Sequence, residues 1–174
     1  MNQKNVTLYA IMSRWKPPKE KSSPYITPEG YQILESELKG LWENRKGVVK
    51  AITAAAAEGD RSENAEYIYR KKQLRGIDSR IHFLQTRLPS LTIVNHKPDN
   101  QTLIYFGAWV TLAKTDNTEV RYRIVGPDEH SFEKEFISMD SPLAKAMLKK
   151  TIDDEVHVKN TIQPTLYYIV DIHY

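Results

Sequence analysis

Gly59-Asp60-Arg61-Ser62-Glu63-Asn64-Ala65-Glu66-Tyr67 is the stretch on which the fold turns. It separates two long segments that share one apolar rhythm. Upstream, Tyr31, Leu34, Leu38, Leu41, Arg45, Val48, Ile52 and Ala55 are spaced alternately by three and four residues, with Arg45 the one polar interruption. Downstream, Tyr67, Arg70, Leu74, Ile77, Ile81, Leu84, Leu88 and Leu91 repeat the alternation. This spacing gathers side chains into a narrow seam along one side of a helix. Neither seam can stay in water, and the short connector makes each the natural cover for the other. An antiparallel coiled-coil hairpin follows, and the quoted stretch becomes its tip. A helix of about 30 residues makes an arm about 45 Å long.

The ends of both segments carry stop and start signals. In Thr27-Pro28-Glu29-Gly30, Thr27 suits an N-cap and Pro28 the first helical position. Gly30 is a poor helix former, but little is lost in a first turn. Ala54 to Ala57 favour helix, and Gly59 is placed for a C′ stop. Pro89 should stop or kink the second helix just before it. In this register Lys72, Arg75 and His82 fall at positions facing away from the seam. Lys71 lies beside it, and Ser79 occupies the outer face.

The chain changes character after His96. Lys97-Pro98-Asp99-Asn100 is a break rich in turn formers. Strand-like runs follow at Leu103 to Leu112, Val120 to Val125, Phe136 to Met139, Val156 to Val158 and Leu166 to Ile172. Thr115-Asp116-Asn117 suits a hairpin turn between the first two. Ser141-Pro142 opens a short helix that can set Leu143, Met147 and Leu148 on the sheet. The fold class is α+β: an N-terminal antiparallel helical hairpin, then a sheet with one short helix. The expected division is a flexible lead over 1–25, the hairpin over 26–96 with its acidic tip near 58–66, and a C-terminal domain over 97–174. The lead is polar and basic, and Met12 offers an alternative start.

Composition narrows the function. The 174 residues fit one or two small domains and carry a net charge of +3. With no cysteine there is neither a disulfide framework nor a thiolate metal site, which fits a reducing cytoplasm. No apolar run is long enough for a bilayer, and Met1 to Lys21 lacks the apolar core of a signal peptide. The charge distribution says more than its sum. Glu58, Asp60, Glu63 and Glu66 face one base, Arg61, at the tip. Arg70, Lys71, Lys72, Arg75, Arg80 and Arg87 face one acid, Asp78, along the shaft. The basic shaft reads either as a solvated helix face or as a track for a phosphate backbone.

Two readings fit the tip acids. Asp60 and Glu63 have the spacing of a capping box, with Ser62 able to cap one residue further in. Alternatively both carboxylates project and meet a divalent cation. Mg²⁺ takes one or two protein carboxylates plus waters and substrate phosphates, so such a pair could complete a site that already holds metal. Elsewhere, none of the five histidines has paired ligand spacing. Trp42 reads as packing beside the seam and Trp109 as core. Helix capping alone accounts for Asp140-Ser141-Pro142.

The run Gly59 to Tyr67 resembles the tip motif of the bacterial Gre transcript cleavage factors, and Arg61 gives it the look of their B type. Ile26-Thr27-Pro28-Glu29-Gly30-Tyr31, Phe106-Gly107-Ala108-Trp109-Val110, Arg123-Ile124-Val125-Gly126 and Asp140-Ser141-Pro142 extend the resemblance over nearly the whole chain from Ile26. The resemblance implies an FKBP-like C-terminal domain and a partner, bacterial RNA polymerase. The arm would enter the polymerase secondary channel. There Asp60 and Glu63 would help hold Mg²⁺ jointly with the polymerase, none being bound alone, and the nascent RNA 3′ end of a backtracked complex would be cut. The chain would thus activate an enzyme without being one. Arg61, Ser62 and Asn64 match residues that support the tip. Lys71, Lys72, Arg75 and Arg80 match an RNA-binding basic patch, and Asp140, Ser141 and Pro142 a polymerase-docking motif. A cytoplasmic monomer with no membrane partner is implied. The alternative is a secondary-channel regulator that inhibits without stimulating cleavage. Ser79 stands where B-type members can carry another Arg, and the end of the chain lacks the family's usual glycines.

Overall fold

The computed structural model describes residues 22–57, 64–158 and 165–174. Helix α1 spans Pro28–Ala57 and α2 spans Ala65–Arg87. They pack against each other along the expected seam. Leu34 of α1 packs with Leu84 of α2, Val48 packs with Ile77 and Ile81, and Ala55 is buried near the end of α1. The other seam residues from Tyr31 to Leu74 are half-buried. The polar interruption is answered across the seam: Arg45 Nε donates to Asp78 Oδ1 at 2.7 Å. The lone acid of the basic shaft is therefore the partner of the lone base in the facing seam.

As expected, α2 stops before Pro89, at a 3₁₀ turn over Leu88–Ser90. Strand β1 (Tyr25–Ile26) then pairs in parallel with β2 (Thr92–Ile93), closing the base of the arm. Beneath it Ile26, Leu34, Leu84 and Leu88 form one core cluster, with Phe132 of the C-terminal part packed on it.

The remaining strands are β3 (Trp109–Lys114), β4 (Glu119–Val125), β5 (Phe136–Ser138), β6 (Glu155–Val158) and β7 (Thr165–His173), in sheet order β5-β4-β3-β7-β6. Only β4 and β5 run parallel. The short helix α3 (Pro142–Met147) covers one face, and Ile104, Val110, Leu112, Ile124, Met147, Val156 and Ile169 fill the space between. The α+β reading stands.

Two expectations are corrected. The strand read from Leu103 begins only at Trp109. Ile104 exchanges backbone hydrogen bonds with Lys149 and Lys150 after α3, and Gly107 adopts φ 88°. That conformation favours glycine and turns the chain before pairing can start. Trp109 is absent from the core. It alternates with buried Val110 and lies half-buried on the opposite face, with the Arg121 guanidinium 4.4 Å from its ring centroid. The turn at Thr115-Asp116-Asn117 forms as read. Asn117 takes φ 60°, and Asp116 accepts from the Thr118 amide, which lowers its carboxyl pKa.

The arm is joined to the C-terminal part by buried polar contacts. Glu129 is fully buried, and its carboxylate accepts from the amides of Thr27 at 3.0 Å and Gly126 at 2.8 Å and from the Thr27 hydroxyl. Thr27 in turn caps α1 by accepting from Gly30 N at 3.0 Å. A Cβ on Gly30 would sit 1.8 Å from Glu129 Oε2. The glycine is there for close approach, not for helix tolerance. Arg87, at the end of α2, donates to Asp128 at 2.8 Å and to the Ser23 carbonyl at 2.6 Å.

Candidate functional site

At the far end of the arm the start of α2 is set by Asn64. Its Oδ1 accepts from Tyr67 N at 3.1 Å, and its Nδ2 donates to the Ala55 carbonyl of α1 at 2.9 Å. One side chain caps one helix and ties it to the other. Asn64 occupies the N-cap of α2 as described, and the capping-box expectation for Asp60 and Glu63 falls outside the described residues. Asp60, Arg61, Ser62 and Glu63 lie outside the described residues, between the two helix ends. Among the described residues no three His, Cys, Asp or Glu side chains gather where they could hold a metal.

The basic residues of the shaft divide into two sets. Lys71, Lys72 and Arg75 are exposed on α2, with Lys71 lying 5.3 Å from the Tyr67 ring. Arg80 is half-buried and bidentate to Glu37 of α1, with both contacts at 2.7 Å. That pairing raises its already high pKa. Arg80 thus clamps the two helices, a role that side-chain type alone does not announce. Arg70 likewise pairs with Glu66 at 2.7 Å and reaches Gln73 at 3.1 Å.

At the other end of the molecule, Ser141 caps α3 by accepting from Ala144 N at 3.2 Å, with Pro142 at the first helical position. Both oxygens of Asp140 are taken by Ser23, through its amide at 2.9 Å and its hydroxyl. The motif residues Ser141 and Pro142 border a groove of about 300 Å³ lined also by Ile137, Leu143, Val158 and Tyr167. Sequence reading missed Glu129, Asp128 and Arg87 because their partners lie 41 to 102 residues away; the glycine at the third helical position was the available signal.

A slender two-helix arm with a polar tip, fixed to a small α+β domain, defines the class. Two family models cover the chain: "Transcription elongation factor, N-terminal" over 24–93 and "Transcription elongation factor, GreA/GreB, C-term" over 99–174. The chain belongs to the GreA/GreB family of transcription elongation factors, and it is of the GreB type. Transcription elongation factor GreB of Pseudomonas aeruginosa is 51% identical over 164 residues, 94% of this chain and 98% of that one. GreB of Xanthomonas axonopodis pv. citri is 50% identical over 165 residues, with the same shares of 94% and 98%. Among solved structures, the GreA factor homolog 1 protein of Thermus thermophilus overlays with a TM-score of 0.39 at 22% identity, covering 86% of this chain and 98% of that one. Family membership rests on the sequence matches. Among the described residues no helix is long and apolar enough to cross a membrane.

Proposed function

We propose that this chain binds RNA polymerase, passes its arm through the secondary channel, and stimulates the polymerase's own cleavage of backtracked RNA. The observation that supports the reading is the way Asn64 closes the start of α2 at the far end of the arm. Asn64 caps α2 and links it to α1, so among the described residues the helix start has its cap. In this reading Asp60 and Glu63 serve a Mg²⁺ held jointly with the polymerase. Mg²⁺ bound there would polarise a phosphoryl oxygen and lower the pKa of a bound water. Two carboxylates are too few for a dedicated cage, so the chain supplies part of a site and the polymerase the rest. The family resemblance gives Arg61 and Ser62 a supporting role beside them.

In this reading Lys71, Lys72 and Arg75 attract the extruded RNA strand. Arg80 serves that strand indirectly, by holding the two helices in register. Ser141, Pro142 and the groove beside them meet the polymerase surface, with Asp140 ordering the segment around Ser23. The test separates binding from stimulation. Glu63→Gln should hold the polymerase with wild-type affinity and stimulate no cleavage. Normal stimulation by that variant would remove the carboxylate from the mechanism.

A further inference from the structure

The sheet face turned away from α3 carries a cation without a partner. Arg123 precedes the buried Ile124 on β4 and stands in register with Trp109 of β3 and Phe136 of β5. Its guanidinium carbon lies 5.9 Å from the Trp109 ring centroid and 5.5 Å from that of Phe136. The rings attract the charge but offer no lone pair to its N–H groups. Nε is sealed from solvent and has no hydrogen-bond partner. Among the described residues Arg123 forms no ion pair. A guanidinium N–H buried without an acceptor is costly, and such a group calls for an ion or water that completes it.

Arg123 also lines a cavity of about 240 Å³ where the start of α1, residues 94–97 and the C-terminal domain meet. Helix α1 gives this cavity walls rather than donors, because the amides of Thr27 and Gly30 are already bonded to Glu129 and to the Thr27 hydroxyl. The donors come from the other walls. Lys97 spends one N–H on the Tyr174 carbonyl at 2.6 Å and keeps two. Asn95 and His96 add a side-chain amide and a ring nitrogen. Glu29 is the only acid in the lining, and it is exposed.

A forked guanidinium and an ammonium in one lining, with further donors beside them, exceed what the two oxygens of a carboxylate accept. They suit the three terminal oxygens and the higher charge of a phosphate group. We propose that this cavity at the base of the arm binds a phosphate group, with Arg123 as its principal ligand and Lys97 as the second cation. Phe106 lines the same cavity and gives a nucleoside carried on that phosphate a ring to lie against. The ligand touches the arm and the C-terminal domain together, so its binding stiffens the joint between them. The site requires neither the tip nor the polymerase and stands apart from the function proposed above.

The test uses the full chain without polymerase. Inorganic phosphate and adenosine monophosphate are titrated separately, against chloride at equal ionic strength, and followed by phosphorus NMR line width and by thermal unfolding. At about ten times Kd the unfolding midpoint of wild type should rise by about 3 °C. Arg123→Gln should weaken binding about tenfold and Lys97→Ala about threefold. Lys97 is exposed, so its variant keeps the site testable should the first fail to fold. Tighter binding of the nucleotide than of phosphate would assign the site to nucleotides, and Phe106→Leu should then remove the difference. Equal affinities would assign it to the phosphate group alone. A wild-type midpoint that neither ligand moves beyond chloride would overturn the site. So would wild-type affinity in either folded variant. Both failures leave the proposed function standing, because no polymerase takes part.

Discussion

The base of the arm and its far end are held by opposite means. At the base, Leu34 and Leu84 are almost wholly buried, Glu129 is sealed between α1 and the C-terminal domain, and Arg87 is bonded to Asp128 and the Ser23 carbonyl. Further out the seam thins. Ile52 and Leu74 are only half-buried, the last turn of α1 is alanine, and one side chain, Asn64, bridges the helices. A broad root and a slim end fit the function proposed above, in which the arm enters a channel of the polymerase.

The sharpest way to break this contrast is at the root. Glu129→Ala leaves the Thr27 and Gly126 amides without their acceptor and should cost about 3 kcal/mol in urea unfolding. A cost near zero would mean that the joint does not fix the arm. Along the seam, Leu84→Ala should cost about 3 kcal/mol, as a cavity in a closed core does. Leu74→Ala should cost about 1 kcal/mol, since its site is half open. Equal costs would erase the distinction between root and end. At the far end, Asn64→Ala removes a cap and should cost about 1 kcal/mol. Hydrogen exchange should then quicken around Ala55 and Tyr67 while the root stays protected. The smallest effect belongs to the half-buried Arg45–Asp78 pair. Asp78→Asn should cost about 0.5 kcal/mol and matter less as salt rises. A larger, salt-independent loss would show that Arg45 depends on Asp78 as a buried charge would.

Most of the arm was legible in the sequence because a seam is a local periodic pattern. Tyr31 through Leu88 declared themselves by spacing, and Thr27, Pro89 and Ser141 by the backbone chemistry of helix ends. The joint was not legible. Glu129 is an ordinary acid in sequence, and only the folded chain sets it against Thr27 and Gly30. The tip was half legible. Asn64, which caps α2 and reaches the carbonyl of Ala55, was read only through the family resemblance, and the acids at 60 and 63 lie outside the described residues. Trp109 misled because strand position and aromatic character suggest burial equally on both faces of a sheet. Its side was settled by Val110 taking the core. The start of β3 was missed because Ile104 pairs with the chain after α3, a contact with no local signature.

The most direct test is RNA cleavage in a stalled, backtracked elongation complex of the cognate polymerase with Mg²⁺ present, wild type beside Asp60→Asn. The account predicts faster cleavage with wild type and none above background with the variant. Slowed RNA extension with no cleavage from either chain would contradict it and make the arm a plug in the channel.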